Sequence, residues 1–163
     1  MSKSFLTALA IGIGCVAVIV AGITFMQRGA RVGLAGRVLK VRTAPLDEKS
    51  SVAVLDFRLT NPSDVLFVVR SVTVLMDDPD GKQYEGQTAS EVDARRLFEA
   101  VPLLDKKYND TLVVREKIAS HASADRMVAA RFEAPESRLE ARKRFVVRVE
   151  EVDGAVSEFV EAK

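Results

Sequence analysis

The sequence predicts a mainly β fold, an antiparallel β-sandwich with one short inserted helix, preceded by a single transmembrane helix. Three observations lead to this prediction. Residues 5–26 carry no charged side chain. From residue 37 onward, apolar and polar side chains alternate in short segments, which is the period of a half-buried strand. Turn-forming pairs, Asn-Pro and Asp-Gly, separate those segments.

The uncharged segment FLTALAIGIGCVAVIVAGITFM is 22 residues long and follows a short tail, residues 1–4. A helix rises about 1.5 Å per residue, so this segment would reach roughly 33 Å, and the hydrocarbon core of a bilayer is about 30 Å thick. A helix in a soluble domain is rarely so apolar on every face. We predict that residues 5–26 cross a membrane, which makes the lipid bilayer the first expected partner.

Two alternatives to a retained anchor arise from the same segment. A cleaved signal peptide has an apolar run of about 7–15 residues, whereas here Ile23 and Phe25 extend the run beyond Ala21. A lipoprotein would be modified at Cys15. However, Gly12 stands where an aliphatic residue is usual, and the run stays apolar after Cys15. We therefore expect a signal-anchor that is retained.

Small residues recur four positions apart in this segment, in the pairs Ala8/Gly12, Ala10/Gly14 and Ala17/Ala21. Such spacing lets two membrane helices approach each other closely. Self-association through the transmembrane helix is therefore a secondary expectation.

The positive charges and the layout of the chain disagree about the side of the membrane. Lys3 precedes the segment, and five basic residues follow it closely: Arg28, Arg31, Arg37, Lys40 and Arg42. Excess Lys and Arg usually stay cytoplasmic, which would place the domain inside. A short N-terminal span followed by a sandwich domain is nevertheless the common layout of envelope proteins, which is an argument by analogy. We expect a periplasmic or other extracytoplasmic domain, and the charge bias argues the opposite.

The rest of the chain has a nearly balanced charge and no cysteine. Of the 24 basic residues, three lie within residues 1–31, so 21 remain against 23 acidic ones. Nucleic-acid binding needs a clustered positive excess, and we therefore expect no nucleic-acid partner. Because Cys15 is the single cysteine, neither a disulfide nor a thiolate metal site can form within the domain.

Residues 27–36 contain three glycines and two arginines and are predicted to form a juxtamembrane linker. The domain that follows, residues 37–163, contains seven predicted strands. We expect Leu39 and Val41 to share one face of their strand, Phe57 to point inward and Asp56 to point to the opposite, solvent side. The predicted strands are Arg37–Arg42, Ser51–Thr60, Phe67–Met76, Thr111–Glu116, Arg126–Phe132, Arg144–Val152 and a last strand after Gly154.

Two turns and one helix interrupt these strands. Asn61-Pro62 ends the second strand, because proline cannot donate to a ladder. Asp78-Pro79-Asp80-Gly81 has the residue preferences of a type I turn. Ser90, with Asp93 three positions later, resembles a capping box. The apolar residues that follow share one face of a helix that a proline ends: Ala94, Leu97, Phe98 and Val101.

The run VAVLDFRLTNPSDVLFVVRSVTVLM, a strand followed by Asn-Pro and a second strand, resembles the late embryogenesis abundant group 2 and water-stress (WHy) domains. Later features are similar to bacterial envelope domains of immunoglobulin or fibronectin III-like shape, namely Asp80-Gly81 with Tyr84, Ala130-Arg131-Phe132-Glu133 and Val152-Asp153-Gly154. The resemblance covers roughly residues 35–160, and the inserted helix departs from the group 2 pattern. It implies a non-catalytic immunoglobulin-like β-sandwich used for interaction or stress protection, and it transfers no active-site residue.

His121 is the single histidine, and Ser120, Ser123 and Asp125 lie close to it in the sequence. A catalytic triad, however, assembles from separate elements around an oxyanion hole. The nucleophile motif Gly-x-Ser-x-Gly is absent from the sequence. We interpret His121 as a solvated loop residue.

The carboxylates of Asp77–Gly81 raise the question of a calcium site. When EF-hand spacing is aligned on Gly81, the first ligand position is Met76 and the twelfth is Gln87, where acidic residues are needed. We interpret this segment as a structural turn.

The strongest basic cluster is interleaved with Glu136 and Glu140 and consists of Arg138, Arg142, Lys143 and Arg144. Opposite charges at four-residue spacing are typical of a solvated helical turn. Contact of this cluster with an anionic lipid or a nucleic acid is the less favoured interpretation.

These observations predict a membrane-anchored, non-catalytic module that binds another protein or protects envelope components under stress. We expect no catalytic residue, no cofactor and no metal. One alternative is an enzyme or small-ligand-binding domain, which would have a deep pocket with converging polar groups near His121 or Asp77–Asp80. Another is a cytoplasm-facing tether for a soluble partner. The identity of the protein partner is not specified by the sequence.

Overall fold

The computed structural model describes residues 12–14, 16–21 and 33–162. The chain divides into two compact units, Met1–Val32 and Gly33–Lys163. The second unit is a mainly antiparallel β domain, as the alternating pattern of the sequence predicted.

In the first unit, residues 12–14 and 16–21 are helical. Most of the predicted span 5–26 lies outside the described residues, and so do Cys15 and the small residues at positions 8 and 10. Within the described part of the chain, no helix has the length and apolar character needed to span a bilayer.

The domain contains nine strands, two α-helices and one turn of 3₁₀-helix among its described residues. The strands are β1 (Ala35–Pro45), β2 (Ser51–Thr60), β3 (Phe67–Asp77), β4 (Gln83–Thr88), β5 (Asp110–Thr111), β6 (Lys117–Ile118), β7 (Ser123–Phe132), β8 (Arg144–Glu151) and β9 (Val156–Val160). The helices are α1 (Glu91–Ala100), the 3₁₀-helix (Pro102–Leu104) and α2 (Glu136–Ala141).

The strands are hydrogen-bonded in the order β1-β2-β7-β4-β3-β8-β9, with β5 beside β7 and β6 beside β3. All of these pairs are antiparallel except β5 with β7. β4 joins the two halves of this order, because Gly86 pairs with β3 whereas Gln87 and Thr88 pair with β7.

Aromatic rings connect strands that are distant in the hydrogen-bonded order. The ring centroids of Phe57 on β2 and Phe159 on β9 are 5.6 Å apart. Those of Phe132 on β7 and Phe145 on β8 are 5.7 Å apart. The backbone N–H of Leu34 also donates to Ser157 Oγ of β9, at 2.8 Å. The two halves of the strand order therefore share a core.

β2 is buried on both faces, and this corrects the expectation that Asp56 faces solvent. Phe57 points inward as predicted and is fully buried, but Asp56 is only 3% exposed. α1 and the 3₁₀-helix cover the second face, where seven residues form an apolar cluster: Ala44, Val52, Val54, Ala94, Leu104, Met127 and Ala129. Asp56 lies under this cover and not in water.

α1 begins and ends where the sequence predicted. The side chain of the N-cap Ser90 accepts a hydrogen bond from the backbone N–H of Asp93 at 3.2 Å, and Ser90 Oγ donates to Asp93 Oδ2 at 2.7 Å. Ala94 is buried, and Pro102 starts the 3₁₀-helix that follows. The capping residues therefore fix this helix start locally.

β1 differs from the prediction in two ways. It begins at Ala35, which pairs with Thr60, so the ladder includes two residues of the segment predicted as linker. The register shifts between Val38 and Lys40, which marks a bulge at Leu39. Leu39 is 43% exposed, because the bulge adds one residue and reverses the alternation of side chains.

The predicted strand Thr111–Glu116 is wrong over most of its length. Only Thr111 belongs to a strand, and the chain then turns, with Arg115 at φ = 67°. The backbone N–H of Val113 donates to Glu116 Oε2 at 3.3 Å. Single backbone hydrogen bonds, from Leu112 to Met127 and from Arg115 to Val69, hold the segment in place of a continuous ladder.

Sequence alternation did not predict β4, QYEGQT. Its single buried residue is Gly86, and a Cβ at that position would lie 2.6 Å from the Phe132 ring and 2.9 Å from the Cβ of Ala130. The strand is therefore held by backbone pairing and by the absence of a side chain, not by an apolar face.

Gly86→Ala should destabilise the domain by about 1–3 kcal/mol, the usual cost of overpacking a core. The Phe132 ring would have to move away from the added methyl group. Gly33→Ala is the matched control, because its Cβ would meet nothing closer than Ser157 Oγ at 3.8 Å. Urea denaturation followed by circular dichroism measures both, and equal midpoints would contradict the packing at Gly86.

Candidate functional site: an apolar cleft beside β3

An apolar cleft opens where β4 leaves β3. β4 pairs with β3 at Val74–Asp77 and then turns to pair with β7, so the two strands separate. Thr88 Oγ1 bridges the base of this split by donating to the carbonyl of Val72 at 3.0 Å. Residues 88–91, which lead into α1, form one side of the cleft.

The segment 111–114 forms the opposite side. Leu112 is anchored because its backbone N–H donates to the Met127 carbonyl at 2.9 Å. Val113 and Val114 follow it and are 36% and 61% exposed. The turn behind them is fixed by Glu116, which receives a hydrogen bond from Val113 and forms an ion pair with Arg126 at 2.7 Å. Two valines are thus held at the rim by an ordered turn.

The cleft has a volume of about 430 Å³. Ten residues line it: Ser71, Val72, Thr88, Ala89, Ser90, Glu91, Thr111, Leu112, Val113 and Val114. Among these ten, Glu91 is the single ionisable side chain. The cleft therefore offers aliphatic surface with a few hydroxyl groups at its edges.

The hydroxyl groups of the cleft are mostly engaged with acceptors. Ser71 Oγ donates to Glu150 Oε2 at 3.0 Å, and Ser90 Oγ donates to Asp93. Thr111 Oγ1 is buried and has no hydrogen-bond partner among the described residues. Both serine hydroxyl groups thus donate to carboxylates.

The residues around His121 are not brought together as a triad. His121 Nε2 lies 2.9 Å from Asp64 Oδ1, and both side chains are largely exposed. Asp125 instead binds Arg58 through two hydrogen bonds of 2.6 and 2.7 Å. These bonds lower the pKa of Asp125 and raise that of Arg58. Ser123 Oγ lies 2.8 Å from the hydroxyl of Thr60.

His121→Ala should change the free energy of unfolding by about 0.5 kcal/mol or less, because exposed substitutions rarely do more. Its partner Asp64 is 95% exposed at the side chain, so water replaces the imidazole. Denaturant titration of this variant beside Asp64→Ala tests the interpretation. A large loss in either one would show that the loop depends on this pair.

The turn after β3 uses its carboxylates to bind arginines. Asp78 is buried and receives two hydrogen bonds from Arg138, at 3.0 and 2.7 Å. Asp77 receives one from Gln83 at 2.8 Å and one from Arg144 at 2.6 Å, which together lower its pKa. These contacts agree with the interpretation of a structural turn. Within the described residues, no group of three or more potential metal ligands is clustered.

The basic cluster corrects the prediction of a single solvated helical turn. α2 ends at Ala141, and Arg144 belongs to β8, so the expected spacing from Glu140 to Arg144 is not helical. The arginines bind acids on other elements: Arg138 binds Asp78, Arg142 binds Glu161 and Arg144 binds Asp77. These ion pairs attach α2, the residue after it and β8 to the end of β3 and to the segment after β9.

A buried ion pair was not predicted by the sequence. Arg42 Nη2 donates to Asp56 Oδ2 at 2.7 Å, and its Nη1 donates to the carbonyls of Leu104 and Lys106 at 2.6 and 2.8 Å. Asn109 completes the bonding of Asp56 at 2.8 Å. The one available signal was Arg42 and Asp56 on adjacent predicted strands, which is not enough to predict burial.

The fold and the cleft thus define a mainly antiparallel β domain with an apolar cleft. Comparison with family models, with curated proteins and with solved structures gave no match for this chain.

Proposed function

We propose that this chain is a membrane-anchored, non-catalytic binding module. Residues 5–26 hold it in a bilayer, and the cleft beside β3 receives an apolar side chain of a protein partner. The cleft carries the proposal: its volume of about 430 Å³ and aliphatic lining suit the large aromatic side chains that anchor many protein interfaces. The ordered valines at its rim, Val113 and Val114, would extend the contact.

The charged groups support binding over catalysis. Three aspartates outside the cleft each bind an arginine, namely Asp77, Asp78 and Asp125. The imidazole of His121 contacts the exposed carboxylate of Asp64. The three aspartates and His121 do not line the cleft, so none of them faces its occupant.

We further propose that the two halves of the strand order pack face to face, as in an immunoglobulin or fibronectin III-like sandwich. The contacts of Phe57 with Phe159 and of Phe132 with Phe145 support this arrangement, since each pair joins one half to the other. The resemblance of the Asn-Pro strand pair to the late embryogenesis abundant group 2 and WHy domains agrees with such a module.

Photo-crosslinking tests the binding role. A benzophenone amino acid at position 114 of the full chain, irradiated in native membranes, should give a product in which an apolar residue of the partner is attached. The same group at Leu103, which is 74% exposed and lies outside the cleft, is the control. Val113→Asp should abolish the product. Equal labelling from both positions would overturn the proposal.

The side of the membrane is tested separately. We propose an extracytoplasmic domain, so a C-terminal alkaline phosphatase fusion should be active. An inactive fusion, with an active cytoplasmic reporter at the same place, would instead support a cytoplasm-facing tether, in agreement with the excess of basic residues after the apolar segment.

A small apolar ligand is the second candidate occupant of the cleft, because volumes of about 300–1,000 Å³ are typical of small-molecule sites. Native mass spectrometry of the purified full chain distinguishes it. A bound small molecule that is lost in Val113→Asp would favour this function over a protein partner.

A further inference from the structure

One end of the domain gathers the loops nearest to the start of β1, and we call it the proximal end. Ala35 at the start of β1 pairs with Thr60 at the end of β2, and Thr60 pairs with Ser123 at the start of β7. β3 starts and β8 ends at this same end. The proximal end therefore consists of residues 33–35 and the connections 61–66, 119–122 and 152–155.

Three of the exposed apolar side chains of the domain lie at the proximal end. Val65, Leu66 and Val152 are 49%, 47% and 47% exposed. The opposite, distal end is formed by the connections 46–50, 78–82 and 133–143, where Leu46, at 38%, is the one large apolar side chain that is exposed among the described residues. The two ends thus differ in the surface that they present.

The proximal apolar residues are held by a fixed backbone. Asn61 is fully buried, and its Nδ2 donates to the carbonyls of Val65 and Ile118 at 2.8 and 3.1 Å. Its Oδ1 accepts from the backbone N–H of Ser63 at 3.1 Å. The N–H of Val152 donates to the Val68 carbonyl at 3.1 Å. The Asn-Pro turn is therefore the support on which Val65 and Leu66 are displayed.

We propose that the proximal end lies on the surface of the bilayer, with Val65, Leu66 and Val152 among the lipid headgroups. This inference rests on the membrane attachment proposed above. Seven residue steps separate Met26 from Gly33, and a fully extended chain covers at most about 3.6 Å per step. The connecting chain can therefore be at most roughly 25 Å long.

Attachment of the domain to the bilayer would allow a small apolar surface to bind lipid. A short linker raises the local concentration of the bilayer surface to the millimolar range or above, so three partly exposed side chains suffice where free binding would be weak. Arg28 and Arg31 in the linker, with exposed Lys117 on the same end, would add attraction to anionic headgroups. The exposed carboxylates of Asp64 and Asp153 on the same end would oppose this attraction.

Lipid quenching of site-specific labels tests the inference. The full chain, with Cys15→Ala as background, is reconstituted in vesicles of phosphatidylcholine and phosphatidylglycerol. Val65→Cys is labelled with an environment-sensitive fluorophore, and Leu46→Cys, at the distal end, is the matched control. Lipids that carry a spin label near the headgroup should quench the label at position 65 severalfold more strongly than the label at position 46. Circular dichroism confirms that both variants are folded.

The outcomes separate this inference from the anchor. If the chain floats with vesicles after an alkaline wash but both positions are quenched equally, the surface contact is rejected and the anchor stands. If the chain does not float, the proposed anchor itself is rejected, and the inference with it. A label at position 65 that is shielded in native membranes but unquenched in the vesicles would reject lipid in favour of a protein neighbour.

Discussion

Asp56→Ala is expected to destabilise the domain by about 3–5 kcal/mol, the cost of leaving a buried charge without its partner. The Arg42 guanidinium would stay buried near the rings of Phe98 and Tyr108, whose centroids lie 5.2 and 5.1 Å from it. Two backbone carbonyls would still bind Arg42, but neither carries a full charge. Urea denaturation followed by circular dichroism measures the loss.

The chain offers a matched control for this variant. Arg58–Asp125 is also an arginine–aspartate pair, with a contact of 2.6 Å, but its side chains are 51% and 35% exposed. Asp125→Ala should therefore cost far less, because water solvates the arginine that remains. Similar losses in the two variants would show that burial does not determine the contribution of the Arg42 pair.

The double variant Arg42→Met/Asp56→Leu distinguishes two causes of the loss, the unpaired buried charge of Arg42 and the loss of hydrogen bonds. Replacing a buried ion pair with apolar residues of similar size is often neutral or stabilising. The double variant should therefore recover much of the stability that Asp56→Ala loses. A double variant as unstable as the single one would show that the hydrogen bonds of Arg42 to the carbonyls of Leu104 and Lys106 matter more than its charge.

Phe57→Ala is expected to destabilise the domain by about 3–5 kcal/mol, as removal of a buried aromatic ring does. Phe57 is fully buried on β2, and its loss would remove the ring contact with Phe159 on β9. The cavity cannot close easily, because Gly36 already places β1 against the Phe159 ring.

Leu39→Ala is the control for this prediction. Leu39 lies on the neighbouring strand and is 43% exposed, so its truncation leaves no enclosed cavity. The difference in urea midpoint between the two variants, at equal denaturant sensitivity, gives the contribution of burial. If Leu39→Ala cost as much as Phe57→Ala, the inward position of Phe57 would be wrong.

The alternating pattern was sufficient to predict the strands that have an apolar face. β2 has the predicted bounds, Ser51–Thr60, because its inward residues recur at every second position. β4 was missed because Gly86 packs without a side chain. The segment 111–116 was taken for a strand, although a turn with Arg115 at positive φ interrupts it. The alternation of apolar and polar residues indicates which side chains are buried, but it does not indicate which backbone groups are paired.

The cleft beside β3 could not be predicted from the residue pattern, because its residues are distant in the sequence. The cleft combines β3, the residues before α1 and the segment 111–114, which come together only through the divergence of β3 and β4. The burial of Asp56 likewise depends on a helical cover that follows much later in the chain. Both features are properties of tertiary packing, which the residue pattern of one segment does not report.

The pairing of β2 with β7 has a consequence for how the chain reaches its native state. Ser51 pairs with Phe132, and all of β3, β4 and α1 lie between them in the sequence. Ribosomal synthesis therefore produces β2 long before β7 exists. Until β7 is made, the edge of β2 that pairs with it has unpaired backbone groups. Such long-range closure slows folding and exposes nascent chains to aggregation, so a chaperone that shields β2 during synthesis would favour a high yield of folded protein.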